Sequence, residues 1–428
     1  PQPRQPPATP TYILRGHSAA IHALQIFHQN LRLVSADGDG WIVVWDLVSK
    51  RPLAVWKAHD GAVLEVKGFS FSHGAVTEVF THGRDHKLRV WRFTIHDEEV
   101  LQKTLPVDVA EKLPSASAPS QPWLVHSLPV NALNFCAFAM VFLPAPKENK
   151  NANANANASL SSALIAVPNA LNSGAIDLFH IPQERRICTI PADSAVKTGM
   201  VMAADLVLTA SGELYVASAY ENGHVMVHGY RGPVREKDLA SGAKAGAWKW
   251  EKLYACRAHS QPVLSIEVSS SGDCFFSSSA DAVLAKHPVP RLGLGVLVGK
   301  RVEELPMKTV NTKHAGQQGV RVRGDGKVFA TAGWDSRVRV YSCKTMKELA
   351  VLKWHKEGCY AVGFGGVLTG ETTTSDADAD ANANGGTQVT TRDFSLATVH
   401  RQRNQKVQDT HWLAAGSKDG KISLWDIY

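Results

Sequence analysis

The sequence predicts an all-β fold, a single β-propeller of seven four-stranded blades closed by the N-terminal strand completing the last blade. Three observations carry this. A short pattern recurs along the chain at a period of roughly 40–45 residues, the mark of a repeat architecture. Each copy reads as two apolar strands joined by a tight turn. The chain also opens on a strand, Thr11–Arg15 (TYILR), and ends just after the third strand of its last unit, so each end can complete the other.

The pattern is clearest in Ser35–Asp46 (SADGDGWIVVWD), Thr81–Arg92 (THGRDHKLRVWR) and Ala415–Asp426 (AGSKDGKISLWD), which align without gaps. An aromatic closes each copy (Trp45, Trp91, Trp425). An acid stands six residues earlier (Asp39, Asp85, Asp419), and a small or hydroxyl residue ten earlier. Thr331, Asp335 and Tyr341 repeat the spacing, as do Ser277, Asp281 and His287. Ser218, Asn222 and His228 form a weaker copy, and Asn169, Ser173 and Phe179 the most eroded one. A histidine precedes most units: His17, His59, His126, His259, His314 and His355. The unit between Phe179 and His228 lacks one, and counting it brings the blades to seven.

The spacing has a physical meaning. With a turn centred near Gly40, Ser35 and Trp45 would sit opposite each other on one face of the hairpin. The hydroxyl can then accept the indole N–H and bond His17, while Asp39 in the turn fixes the imidazole. Buried Trp and His need such partners, because an unpaired buried donor costs roughly 1–3 kcal/mol. The residues expected to build these staples are His17, Ser35, Asp39 and Trp45; His59, Thr81, Asp85 and Trp91; His259, Ser277 and Asp281; His314, Thr331, Asp335 and Tyr341; and His355, Asp419 and Trp425. A Ser, His and Asp together invite a hydrolase reading. A constellation repeated in several blades, completed by Trp and buried is instead a structural network.

This pattern resembles the WD-repeat signature over nearly the whole chain. It implies one propeller domain over 11–428 behind a proline-rich tail at 1–10, with low-complexity insertions near 143–160 and 366–409. Those insertions carry Asn151–Ala158 (NANANANA) and Asp376–Gly386 (DADADANANGG), read as solvated loops between first and second strands, on one face of the disc. The extra residues before His126, His259 and His314 are expected on the opposite face. One of these segments holds Trp248 and Trp250, read as an outer strand or as an aromatic pair offered to a partner.

Composition narrows the function classes. No apolar run approaches the ~18 residues of a membrane helix, and Pro1–Pro10 lacks the apolar core of a secretion signal. Six scattered cysteines without a C-x-x-C pair suit a reducing compartment better than a zinc site or a disulfide framework. A net charge of +7 is too mild to point to nucleic acid. Gly293–Arg301 misses a phosphate loop by one residue of spacing and by Arg301 in the magnesium-binding place, so Leu292–Val298 is read as a blade strand. His400–Lys406 (HRQRNQK) reads as a solvated loop. No cofactor, metal or catalytic group is expected.

Two segments go beyond a generic repeat: Phe329–Phe364 (FATAGWDSRVRVYSCKTMKELAVLKWHKEGCYAVGF) and the C-terminal WLAAGSKDGKISLWDIY. With Tyr12–His17 (YILRGH) they are similar to the fungal ASTRA-associated protein 1 family, whose animal relative is named a G-protein β-subunit-like protein. The resemblance implies a non-catalytic subunit of the ASTRA assembly, nuclear and partly cytoplasmic. It implies links to chromatin remodelling and to the TTT co-chaperone for phosphatidylinositol-3-kinase-related kinases. Its implied partners are HEAT-repeat adaptors and RuvB-like AAA+ ATPases, and it transfers no functional residue. A substrate receptor of a ubiquitin ligase is the alternative, weakened because Asp46 and Asp426 are not followed two positions on by Arg. A G-protein β-subunit would need a helix ahead of the first blade. A histone or nucleic-acid reader rests only on the basic balance.

Overall fold

The computed structural model describes residues 8–109, 120–133, 135–144, 162–234, 239, 248–292, 302–368 and 396–427. Within them, 28 strands form seven four-stranded antiparallel sheets. Blade one runs β2 (Ile21–Phe27), β3 (Arg32–Asp37), β4 (Trp41–Asp46) and β5 (Arg51–Lys57) from the centre outward. Blades two to six repeat this order in sequence. The last blade is closed as expected. β1 (Tyr12–Arg15) pairs antiparallel with β28 (Lys421–Asp426), outside β27 (Trp412–Ser417) and β26 (Cys359–Phe364).

Why these segments become strands follows from what they face. Both middle strands are covered by neighbouring blades, so β3 is buried at every position and is rich in apolar residues. The inner strands line the central channel and carry exposed or half-exposed positions among their buried ones, as in β2. Six of the seven inner strands shift register near their first residues, at Ile21/Ala23 in blade one and Val63/Glu65 in blade two, for example. Such bulges add twist where strands crowd toward the axis. A second bulge falls beside the closing aromatic of five blades, at Val44/Trp45 and Val90/Trp91 among others, and re-aims that ring.

Seven apolar clusters hold the ring, one between each pair of adjacent blades. Between blades one and two, Trp56 meets Trp91 edge-on at 6.0 Å. The cluster between blades seven and one joins Leu14, Trp45 and Trp412, so closure is sealed by side chains as well as by strand pairing.

Antiparallel alternation gives the disc two unlike faces. Second-to-third strand turns and the loops between blades emerge on one, the turn face. First-to-second and third-to-fourth connections emerge on the other. All five long connections, at 95–122, 143–162, 234–249, 289–307 and 365–411, are of the latter kinds. The expectation of insertions on both faces is therefore corrected. His126 lies inside the outer strand Trp123–Pro129, so the extra residues precede a fourth strand and not a new blade. The stretch 293–301 lies outside the described residues, and the outer strand of blade five is Lys308–Asn311. Asn151–Ala158 and Asp376–Gly386 also fall outside them. His400–Lys406 is not loop but part of an exposed helix, Leu396–Asp409, anchored by buried Val407. Asn30 ties both ends of that insertion to blade one, donating to Gly366 O at 2.8 Å and Gln408 O at 2.9 Å.

One turn position explains why blades lock to the loops between them. Gly40 has φ +89°, and its carbonyl accepts the N–H groups of Ala58 and His59. A Cβ there would stand 2.0 Å from His59 O, and at Gly223, φ +88°, equally close to His259 O. Gly40→Ala combines a left-handed alanine, roughly 1–2 kcal/mol, with this backbone clash. We expect a loss of at least about 3 kcal/mol by denaturant titration. A midpoint within error of the parent would show that the turn does not bear on its neighbouring loop.

Candidate functional site

The polar staples come first, because they consume most of the residues that could otherwise do chemistry. In blade one His17 Nε2 lies 2.8 Å from Ser35 Oγ, and Trp45 Nε1 donates to the same oxygen at 2.9 Å. His17 Nδ1 sits 2.7 Å from Asp37 Oδ2, so the proton belongs on Nδ1 and Nε2 accepts the hydroxyl. Asp39 does not take part. It is exposed at the turn, and its N–H donates to Asp37 Oδ1 at 3.0 Å. Asp37 ends the buried strand and reaches the ring first. In blade two Gly83 holds the corresponding place, where a Cβ would lie 2.2 Å from His59 Nδ1, so the acid must come from Asp85 further round the turn. Nor is Ser35 directly opposite Trp45. It faces Val43, and Trp45 reaches it diagonally on the same face.

Blade two follows the expected design: His59 to Thr81 at 2.8 Å, His59 to Asp85 at 2.8 Å, and Trp91 to Thr81 at 3.1 Å. Arg89 adds a third hold, donating to Ala58 O and Asp85. Burial opposes ionisation of Asp85, but His59 and Arg89 hold its carboxyl well below the usual range. In blade five His287 replaces the indole. Its Nε2 meets Ser277 Oγ at 2.8 Å beside His259, and its second nitrogen extends the network to Tyr254 at 2.8 Å. Asp281 closes that staple on His259 at 3.2 Å.

Two blades depart from the expectation. In blade six Asp335 is taken by Arg339 at 2.6 Å, leaving His314 half-exposed and 3.8 Å away; Thr331 and Tyr341 are buried without that histidine. In blade seven Ala415 offers no hydroxyl. Ser423, directly across the ladder, supplies it to both His355 and Trp425 at 2.8 Å, while Asp419 turns to Lys421 and stays 3.8 Å from His355. Blade three builds another cluster, in which Asn169 and Thr189 donate to buried Asp177 and Asn131 donates to Asn169 O. His126 instead contacts Glu184 at 2.7 Å. In the weak fourth copy Ser218 bonds Tyr220 and Asn222 braces the loop at Lys197 O.

Trp248 and Trp250 are half-buried. They stack on each other and meet Tyr230 at a tilt against the core between blades three and four, with Trp250 opening the outer strand. All six cysteines are free and buried, and burial pushes the Cys136 and Cys359 thiols up to about 12, away from the thiolate form. Among the described residues no three His, Cys, Asp or Glu side chains gather as metal ligands, and no helix is long and apolar enough to cross a membrane.

The central channel, about 360 Å³, carries charges that the repeat reading missed. Arg321 reaches Glu65 at 2.8 Å and Glu267 at 3.8 Å, with Lys67 and Asp205 on the same wall. Burial pushes the Glu267 carboxyl up to about 7 against the pull of Arg321. Gln25, Lys67, Asp205, Glu267 and Arg321 all occupy the fifth place of an inner strand. A polar residue recurring at that place was the available signal.

With this geometry in view, the profile of the family described as ASTRA-associated protein 1 matches residues 10–425. The chain belongs to that family. An ASTRA-associated protein 1 of Aspergillus niger is 73% identical over 100% of this chain and 99% of its own. One of Aspergillus flavus is 62% identical over 99% and 98%. The family reaches to Schizosaccharomyces pombe, where a relative is 32% identical over 83% of this chain and 93% of its own. The eroded middle blades therefore lie inside the family match.

Two predictions follow from the staples. Ser423→Ala orphans two buried polar atoms, the Trp425 indole N–H and His355 Nε2, and should cost roughly 2–4 kcal/mol. Adding Ala415→Ser, which places a hydroxyl where blades one and two carry theirs, should restore about half of it, and no recovery would refute the shared-hydroxyl account. The second concerns acid. Burial lowers His82 and His287 to about 3 and His228 to about 4, from an ordinary 6.5. The unfolded chain thus binds three protons that the fold does not. Their contribution is fully present above about pH 6.5 and falls on acidification, by on the order of 4 kcal/mol per pH unit below about 5.5. Melting temperature should be flat near neutrality and drop steeply below about pH 6. A flat profile to about pH 5 would mean these rings protonate within the fold.

Proposed function

We propose that this chain is a non-catalytic scaffold subunit of the ASTRA assembly, in the nucleus and partly in the cytoplasm. In this reading it connects HEAT-repeat adaptors of the TTT co-chaperone with RuvB-like AAA+ ATPases. It thereby serves chromatin remodelling and the maturation of phosphatidylinositol-3-kinase-related kinases. The observation that carries the proposal is the family match across residues 10–425, since its relatives are named for association with ASTRA. The staples support it. Ser, His and Asp groups able to act as nucleophile and base are bound to one another and to Trp inside the blades. What remains is a rigid frame presenting loops, the arrangement that suits binding.

The test is affinity purification of the tagged full chain with identification of co-purifying subunits. Adaptors and ATPases should be recovered together, and tagged protein should concentrate in nuclei. Deleting Asn151–Ala158 or Asp376–Gly386 should leave recovery nearly unchanged, because Asn, Asp and Ala supply none of the Trp, Tyr and Arg anchors that dominate interfaces. Absence of both subunit classes would overturn the assignment. Loss of recovery in a deletion variant with an unchanged melt would make those tracts binding elements.

A further inference from the structure

We infer that the turn face, around the mouth of the central channel, docks an acidic protein segment that inserts a bulky apolar side chain beside Phe135. The inference rests on the scaffold reading and says where on the disc a partner binds. Phe135 carries it. Its φ is +57°, a conformation that a bulky L-residue rarely adopts, yet the residue is 55% exposed. The residue accepts backbone strain and forgoes burial, and neither serves folding. The exposed Arg84 guanidinium stacks on the ring at 4.0 Å and holds it in place at the channel mouth. Leu133, 62% exposed, lies in the same loop.

Across the mouth stand Trp334, 48% exposed with its indole N–H on Gln318, and Tyr360 stacked on His22 at 5.7 Å. Phe135, His22 and Tyr360 line the channel, and Trp334 is held beside it through Gln318, itself a lining residue. Charge then selects the partner. The turn-face acids Asp37, Asp85, Asp281 and Asp335 are committed to His17, His59, His259 and Arg339. On the rim of blades six, seven, one and two, Arg84, Lys87, Lys313, Lys356 and Lys418 are exposed and make no ion pair among the described residues. Asp39, Asp60, Asp108, Glu357 and the Arg339-paired Asp335 are the exposed acids against them there, while Arg15 and Lys57 add two more exposed cations. The staples thus leave a cationic rim around an aromatic mouth. Behind it, Glu65, Asp205 and Glu267 offset Lys67 and Arg321, so the channel wall offers no surplus of cations to a phosphate chain and suits a peptide whose acids stay on the rim.

The test pans a random dodecapeptide phage library on the immobilised full chain, then measures selected peptides by fluorescence anisotropy. Sequences with Asp or Glu flanking Leu, Phe or Trp should be enriched. Phe135→Gly keeps the left-handed backbone in the residue best suited to it, so the melt should be unchanged or raised while affinity falls at least about tenfold. Arg84→Ala with Lys356→Ala should weaken binding severalfold and flatten its salt dependence. Enrichment of basic peptides, no enrichment, equal affinity for Phe135→Gly, or displacement by a DNA oligonucleotide that itself requires Phe135 would each overturn the proposal. Adaptors that co-purify equally with parent and Phe135→Gly, in a chain that binds no selected peptide, would sink this site alone. Loss of the adaptors from the parent chain would instead sink the scaffold reading.

Discussion

A single hydroxyl accepting from a Trp while bonding a loop His is the interaction on which this structure depends. Trp45 and His17 are both buried, and Ser35 satisfies both at once. Neither ring could be buried alone without stranding a polar atom, at roughly 1–3 kcal/mol each. The shared hydroxyl therefore lets the third strand bury its largest side chain and pins the preceding loop to the same hairpin. Because that loop joins two blades, each staple also sets the position of one blade against the next.

The seven apolar clusters supply the bulk of the attraction but little direction. Direction comes from the staples, and they tolerate replacement when the hydrogen-bond accounting still closes. His287 substitutes for an indole and recruits Tyr254 for its second nitrogen. Ser423 moves the hydroxyl to the facing strand. Blade three abandons the design for an Asn–Asp–Thr cluster. The blades resemble one another in packing more than in residues.

The staples also shape the two faces. They engage the acids of the turn face, leaving its cations exposed around the channel mouth. All five long connections leave the blades on the opposite face, among them the one that carries the helix Leu396–Asp409 anchored through Val407 and Asn30. The first of them returns along blade one to the turn face, where the Val107 N–H donates to Gly16 O. That the long insertions leave from one side follows from strand alternation, because an insertion between first and second strands and one between third and fourth must emerge together.

Repeat number, the hairpins, ring closure and the family were legible in the sequence, because each depends on local patterns: strand periodicity, a turn signal, a recurring Trp-Asp. The staples were legible where one residue spacing brings the partners together, as in blade two. They were misread where an equivalent atom could come from another backbone position. Asp37 and Asp39 differ by one pleat, and only the strand's course decides which meets His17. Ser423 and Ala415 are eight residues apart in the chain and face each other in the sheet. The charged channel left only a polar residue recurring at the fifth place of inner strands, and the mouth around Phe135 had no local signature. They join residues from blades distant in sequence, and only the closure of the ring brings them within reach of one another.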